Sequence, residues 1–122
     1  MNFNNLSYYW SIDNCRAEPG EVVQALISAI AEYLPDKSLG HVKGYAVFED
    51  GTVFGSSTLI PPEVTLHQEG DYRGGCIEVY MTLIFSDLEI ETLRDALEKA
   101  TEQEALGKNW TIADKGEKNH ER

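Results

Sequence analysis

Basic residues are scarce in this chain of 122 residues, with ten Lys and Arg against twenty-one Asp and Glu and a formal net charge of −11. Contact with phosphate backbones needs clustered lysines and arginines. The balance therefore argues against direct nucleic-acid binding and favours solubility and, among partners, a basic protein. Long apolar runs are missing too: none approaches the ~20 residues needed to cross a bilayer, so no membrane partner is expected. The opening stretch MNFNNLSYYWSIDNC has neither a basic region nor a continuous apolar core of the secretory type, which makes the cytoplasm the expected location.

Thiols and imidazoles are few and scattered. Cys15 and Cys76 stand far apart with no second thiol near either, so a disulfide is not expected in a reducing compartment. His41, His67 and His120 form no i, i+4 pair and have no Cys-x-x-Cys beside them, so neither a metal nor another cofactor is implied. There is no nucleophile elbow, no His-Glu-x-x-His and no glycine-rich phosphate loop ahead of a helix. The nearest imitation, GDYRGG at 70–75, joins two strand-like segments, so no helix N-terminus faces an anion there. Catalysis is thus the lesser expectation, and the chain reads as a non-enzyme.

What is present is periodicity. Leu6, Tyr8, Trp10 and Ile12 alternate with Ser7, Tyr9 and Ser11, the period-two signature of a half-buried strand. From Pro19, the apolar residues Val22, Val23, Leu26, Ile27, Ile30, Ala31 and Leu34 return at helical spacing, with Glu18 and Glu21 at the positive end of the dipole and Pro35 as a stop. Two alternating segments flank Asp50-Gly51, a pair that favours a type I′ hairpin turn. That turn predicts Val47 opposite Phe54, Ala46 opposite Gly55 and Tyr45 opposite Ser56. It collects Val42, Gly44, Ala46, Phe48, Val53, Gly55, Ser57 and Leu59 on one face. The small residues in the middle form a trough over which a helix can pack closely.

Pro61-Pro62 ends the hairpin. EVTLHQE alternates weakly, with Val64 and Leu66 inward and Thr65 and His67 outward, and CIEVYMTLIF supplies a longer strand. Ser86 and Glu89 have the spacing of a capping box at the head of a second helix, whose stripe is Ile90, Leu93, Leu97 and Ala100. Trp110 and Ile112 suggest a short docked segment. The expected fold is α+β: a two-layer sandwich with a mainly antiparallel sheet of about five strands and two helices on one face, in the order β-α-β-β-β-β-α. One domain is expected over 1–113, with a disordered polar tail over 114–122.

The helix-free sheet face then carries the functional question. Lys43, Tyr45, Val47, Phe54, Tyr80 and Ile84 would project there, too apolar and aromatic a set for a fully solvated face. The leading expectation is an acidic cytosolic accessory or interaction protein, assembling through that face as a homodimer. A small-molecule or catalytic pocket near His41, Lys43, Tyr45 and His67, with Glu63 or Glu69 as carboxylate, is the alternative. A third reading takes Glu91, Asp95, Glu98 and Glu102, one face of the second helix, as a docking row for a basic partner or a mimic of nucleic acid.

Overall fold

Eight elements follow one another in a computed structural model that describes residues 3–13, 15–35, 39–58, 63–108 and 110–117. They are β1 (Phe3–Asp13), α1 (Pro19–Glu32), β2 (Gly40–Phe48), β3 (Gly51–Ser57), β4 (Thr65–Gly70), β5 (Ile77–Ser86), α2 (Ile90–Lys108) and β6 (Thr111–Glu117). The strands form one sheet in the order β4-β3-β2-β5-β1-β6, with every neighbouring pair antiparallel. The two-layer α+β expectation holds, and the sheet has six strands rather than about five.

The sixth strand is β6. Its residues 114–117 fall within the segment expected to be a disordered tail, whereas 118–122 lie outside the described residues. DKGE is too polar to announce a strand; it is held by the free edge of β1, where Tyr9 opposes Gly116 and Ser11 opposes Asp114. An Arg94 guanidinium on α2 donates to the Glu117 carboxylate and pulls the strand end toward the helix layer. Trp110 and Ile112 pack against the core.

Each strand buries one phase of its alternation. Leu6, Tyr8, Trp10 and Ile12 of β1 lie beside Leu83, Met81, Val79 and Ile77 of β5, and Val42, Ala46, Phe48 and Val53 continue the buried layer across β2 and β3. Onto this surface α1 lays Val22, Val23, Leu26, Ile27 and Ile30, while α2 contributes Leu93, Ala96, Leu97 and Ala100. The trough behaves as expected: a Cβ on Gly55 would come within 2.7 Å of Val23 Cγ1, so that glycine lets α1 approach β3. Buried Trp10 donates its indole N–H to Thr101 Oγ1 at 2.6 Å, tying α2 to β1.

Three local expectations change. The hairpin register is two residues away from the type I′ pairing, with Phe48 opposite Gly51, Tyr45 opposite Phe54 and Lys43 opposite Ser56. Glu49 and Asp50 make the turn, and neither has the positive φ that type I′ requires. Gly51 is already part of β3, where a Cβ would strike the Glu69 carbonyl oxygen and sit 2.9 Å from Gly70 Cα. The glycine thus serves the close approach of β4, and the turn does without it. Because the slip is even, every described side chain of the hairpin keeps its expected face, and Leu59 lies outside the described residues.

Ser86 does not cap α2: it ends β5, its hydroxyl donates to the Asp87 carboxylate, and the first amides of α2 reach the Glu89 carbonyl instead. A reciprocal capping box does exist at α1, between Glu18 and Glu21. Of the two residues expected to point inward around β4, Val64, just ahead of the strand, packs against the core. Leu66 lies near Gly20 and Gly55 on the helix side, yet β4 is an edge strand beyond most of α1, and Leu66 stays 37% exposed.

Candidate functional site: the helix-free sheet face

The register of five strand pairs places a single row of residues across the sheet. Gly116, Tyr9, Tyr80, Tyr45, Phe54 and His67 are direct neighbours in turn, one from each strand from β6 to β4. Facing residues on a pleated sheet are close enough for side-chain contact, and four rings take advantage of it. Tyr9 and Tyr80 stack with centroids 6.1 Å apart, Tyr80 and Tyr45 at 4.9 Å, and Tyr45 and Phe54 at 5.5 Å. Tyr80 and Tyr45 have a ring on either side, whereas the neighbour beyond Tyr9 is Gly116, which has no side chain. Phe54, near the β4 end, is the most open of the four at 60% exposure.

The row divides the face into two unlike flanks. Toward the β2–β3 turn come Asp114, Ser11, Glu78, Val47, Thr52 and Glu69, a flank with three carboxylates. Toward the other end come Ser7, Thr82, Lys43, Ser56 and Thr65, four hydroxyls and one ammonium. Ser7 and Thr82 hydroxyls share a hydrogen bond at 2.9 Å. On the acidic flank the Tyr80 phenol donates to Glu78 at 3.1 Å and the Tyr9 phenol donates to Asp114. The carboxylate partner raises the Tyr9 pKa, and Tyr80 rises chiefly through desolvation, with Glu78 adding to it. Both phenols stay neutral donors well into the alkaline range.

All six residues expected at an interface, Lys43, Tyr45, Val47, Phe54, Tyr80 and Ile84, therefore share this face. Two further apolar side chains join them. Phe3 and Leu39, about 60% exposed, follow the outward phase of β1 and of the approach to β2. Among the described residues, six large hydrophobic side chains stand exposed, and of these only Leu66 belongs to the helix side. Phe3, Leu39 and Tyr9 escaped the sequence reading. Their outward phase was legible, but the nearness of Phe3 and Tyr9 to β5 depends on β1 lying beside it, and that of Leu39 on β2 lying along its other edge.

The other proposed cluster disperses. His41, Lys43 and Tyr45 follow one another along β2, but His67 is two strands away and pairs with Glu69 at 3.4 Å. A depression of about 310 Å³ holds His41, Lys43 and Glu63; a separate one of about 180 Å³ holds Lys43, Phe54 and His67. Tyr45 lines neither of them, and the two carboxylates anticipated for the cluster are divided, Glu69 hydrogen-bonded to His67 and Glu63 in the depression with His41. Among the described residues, no three His, Cys, Asp or Glu side chains stand close enough to hold a metal ion, and no helix is long and apolar enough to cross a membrane.

On α2, Glu91, Asp95, Glu98 and Glu102 are exposed as expected, but two are engaged: Arg94 pairs with Glu91, and Lys99 with Asp95 at 3.0 Å. Among the described residues, Arg94 is shared between Glu91 and Glu117 and forms no ion pair with Glu98, one turn on. The thiols part company, Cys15 turning into the core and Cys76 lying exposed beside Asp13. Comparison with protein-family models, with characterised proteins and with solved structures finds no match to this chain.

Proposed function

We propose that this chain is a small acidic accessory protein that acts by protein–protein contact through its helix-free sheet face, assembling there as a homodimer in the cytoplasm. The carrying observation is the aromatic row, Tyr9–Tyr80–Tyr45–Phe54, set in a face that gathers nearly all the exposed large hydrophobic side chains. Apolar patches of this extent, rimmed by polar residues, mark contact surfaces. Aromatic side chains are also the groups that contribute most at the centre of an interface.

The arrangement of the rings favours a protein surface over a stacked ligand. A nucleobase or a sugar would need open ring faces, and the two central rings, Tyr80 and Tyr45, each have a ring on either side. The acidic flank adds repulsion toward any phosphate chain. Two cysteines that form no disulfide, Cys15 buried and Cys76 exposed, suit a reducing compartment.

Phe54→Asp tests the reading, with Gln24→Asp on the exposed side of α1 as a control of equal charge. Light scattering over a range of concentrations should find a dimer for the parent chain and for Gln24→Asp, and a folded monomer for Phe54→Asp. A Phe54→Asp protein that is folded and fully dimeric would overturn the proposal.

A further inference from the structure

If two copies meet face to face, the two flanks of the aromatic row decide how. Packed sheets lie about 10 Å apart, and in the aligned arrangement their strands stay within about 30° of one another. A two-fold axis between aligned sheets can run along the strands or along the row. An axis along the strands sets each flank over its own kind: carboxylate meets carboxylate, with Glu69 of one copy over Asp114 of the next. An axis along the row exchanges the flanks. Each hydroxyl flank then covers an acidic flank, so that Thr82 of one copy faces Glu78 of the other and Lys43 lies over Val47, one strand from Glu78. The aromatic row meets itself along the axis.

We infer that the partner is a second copy seated with its two-fold axis along the aromatic row, and that Lys43 of each copy pairs with Glu78 of the other. The inference rests on the contact-face reading above and adds its geometry. The axis along the strands is disfavoured by the like charges it opposes, and it sets Lys43 over Thr82 with no carboxylate opposite. Lys43 and Glu78 lie on the two central strands, where the twist between sheets separates facing residues least. Lys43 forms no ion pair among the described residues, and Glu78 only accepts the Tyr80 phenol, so both charges are available. Within one chain they are four strand positions apart, roughly 14 Å, too far to meet each other. Six strands at about 4.8 Å spacing and about eight residues of each make a face of ~750 Å² per copy, near the ordinary size for a specific dimer.

The test is sedimentation equilibrium on the parent chain, Lys43→Glu, Glu78→Lys, the double variant Lys43→Glu/Glu78→Lys, and Val47→Lys, with circular dichroism to confirm folding. Lys43→Glu and Glu78→Lys should each weaken the dimer about tenfold or more, and the double variant should recover to within about threefold of the parent. The Glu78→Lys result is the discriminating one. It lowers the overall negative charge, so general repulsion alone would make that dimer tighter. Val47→Lys should also weaken association, because the new charge faces Lys43; with the axis along the strands it would face Glu78 and tighten the dimer.

Tightening by Glu78→Lys or Val47→Lys, in a dimer that Phe54→Asp still breaks, would overturn the axis and leave the contact face standing. A parent chain that is monomeric throughout would overturn both.

Discussion

Replacing Thr101 by valine probes the join between the sheet and α2 with almost no change of shape. Trp10 is 1% exposed and Thr101 equally buried, and the indole N–H has the threonine oxygen as its acceptor at 2.6 Å. The same hydroxyl donates to the Leu97 carbonyl at 2.7 Å, one turn earlier in the helix. Valine fills the threonine volume but accepts nothing, leaving a donor buried in an apolar layer. An orphaned buried donor costs about 1–3 kcal/mol. The Leu97 carbonyl loses one of two partners, a smaller matter, because the helix amide still reaches it. A cost near 2 kcal/mol is a large part of the ~5–15 kcal/mol expected for a domain of this size, and should lower Tm by roughly 8 °C.

The decisive measurement is a double-mutant cycle with Trp10→Phe, followed by urea unfolding and far-UV circular dichroism. Phenylalanine has no N–H, so in that background Thr101→Val should cost less than about 0.5 kcal/mol, giving a coupling of ~1 kcal/mol or more. If Thr101→Val costs the same in both backgrounds, or nothing in either, the hydrogen bond does not join α2 to β1 and the reasoning is refuted.

Two further outcomes follow from the edges of the sheet. Gly51→Ala should destabilise by more than about 2 kcal/mol, because the clash is with a carbonyl oxygen of β4 that cannot rotate away; hydrogen exchange should show lost protection over Thr65–Gly70. Protection retained in β4 would mean that Gly51 acts at the turn instead. At the opposite edge, the guanidinium of Arg94 holds the Glu117 carboxyl below its ordinary value. The contribution is therefore complete above the unfolded-state value, about 4.3, and is lost as pH falls through the lower folded-state value. The protection factors of the β6 amides, corrected for the intrinsic pH dependence of exchange, should fall in acid in the parent chain. In Arg94→Gln they should already be low at neutral pH and respond less to acid; equal acid responses would exclude the ion pair as the cause.

Much of the architecture was legible in residue order alone because burial on one side imposes a period. The alternation of Leu6 to Ile12, of Val42 to Phe48 and of Ile77 to Phe85 separated inward from outward residues before any pairing was known. The helical stripe of Val22 to Ile30 likewise showed which side of α1 would be covered. Even the misplaced hairpin register preserved both faces, since a slip of two residues returns every side chain to its own side. Local pattern also picked out Tyr45, Val47, Phe54 and Tyr80 as outward and too apolar for water.

Neighbourhood was not legible, because it depends on strand order and on the edges that remain for late segments. Tyr9 joins Tyr80 only because β5 lies between β1 and β2, a contact spanning most of the chain. His67 and His41 stay apart because β3 separates β4 from β2. The strand β6 forms from polar residues with no alternation to announce it, since the exposed edge of β1 and the charge of Arg94 supply what its own sequence lacks. Gly51 is needed by a strand that follows it, and nothing in Asp50-Gly51 could reveal that. Periodicity determined the faces of each element; only tertiary structure, through long-range pairing, decided which outward residues stand together.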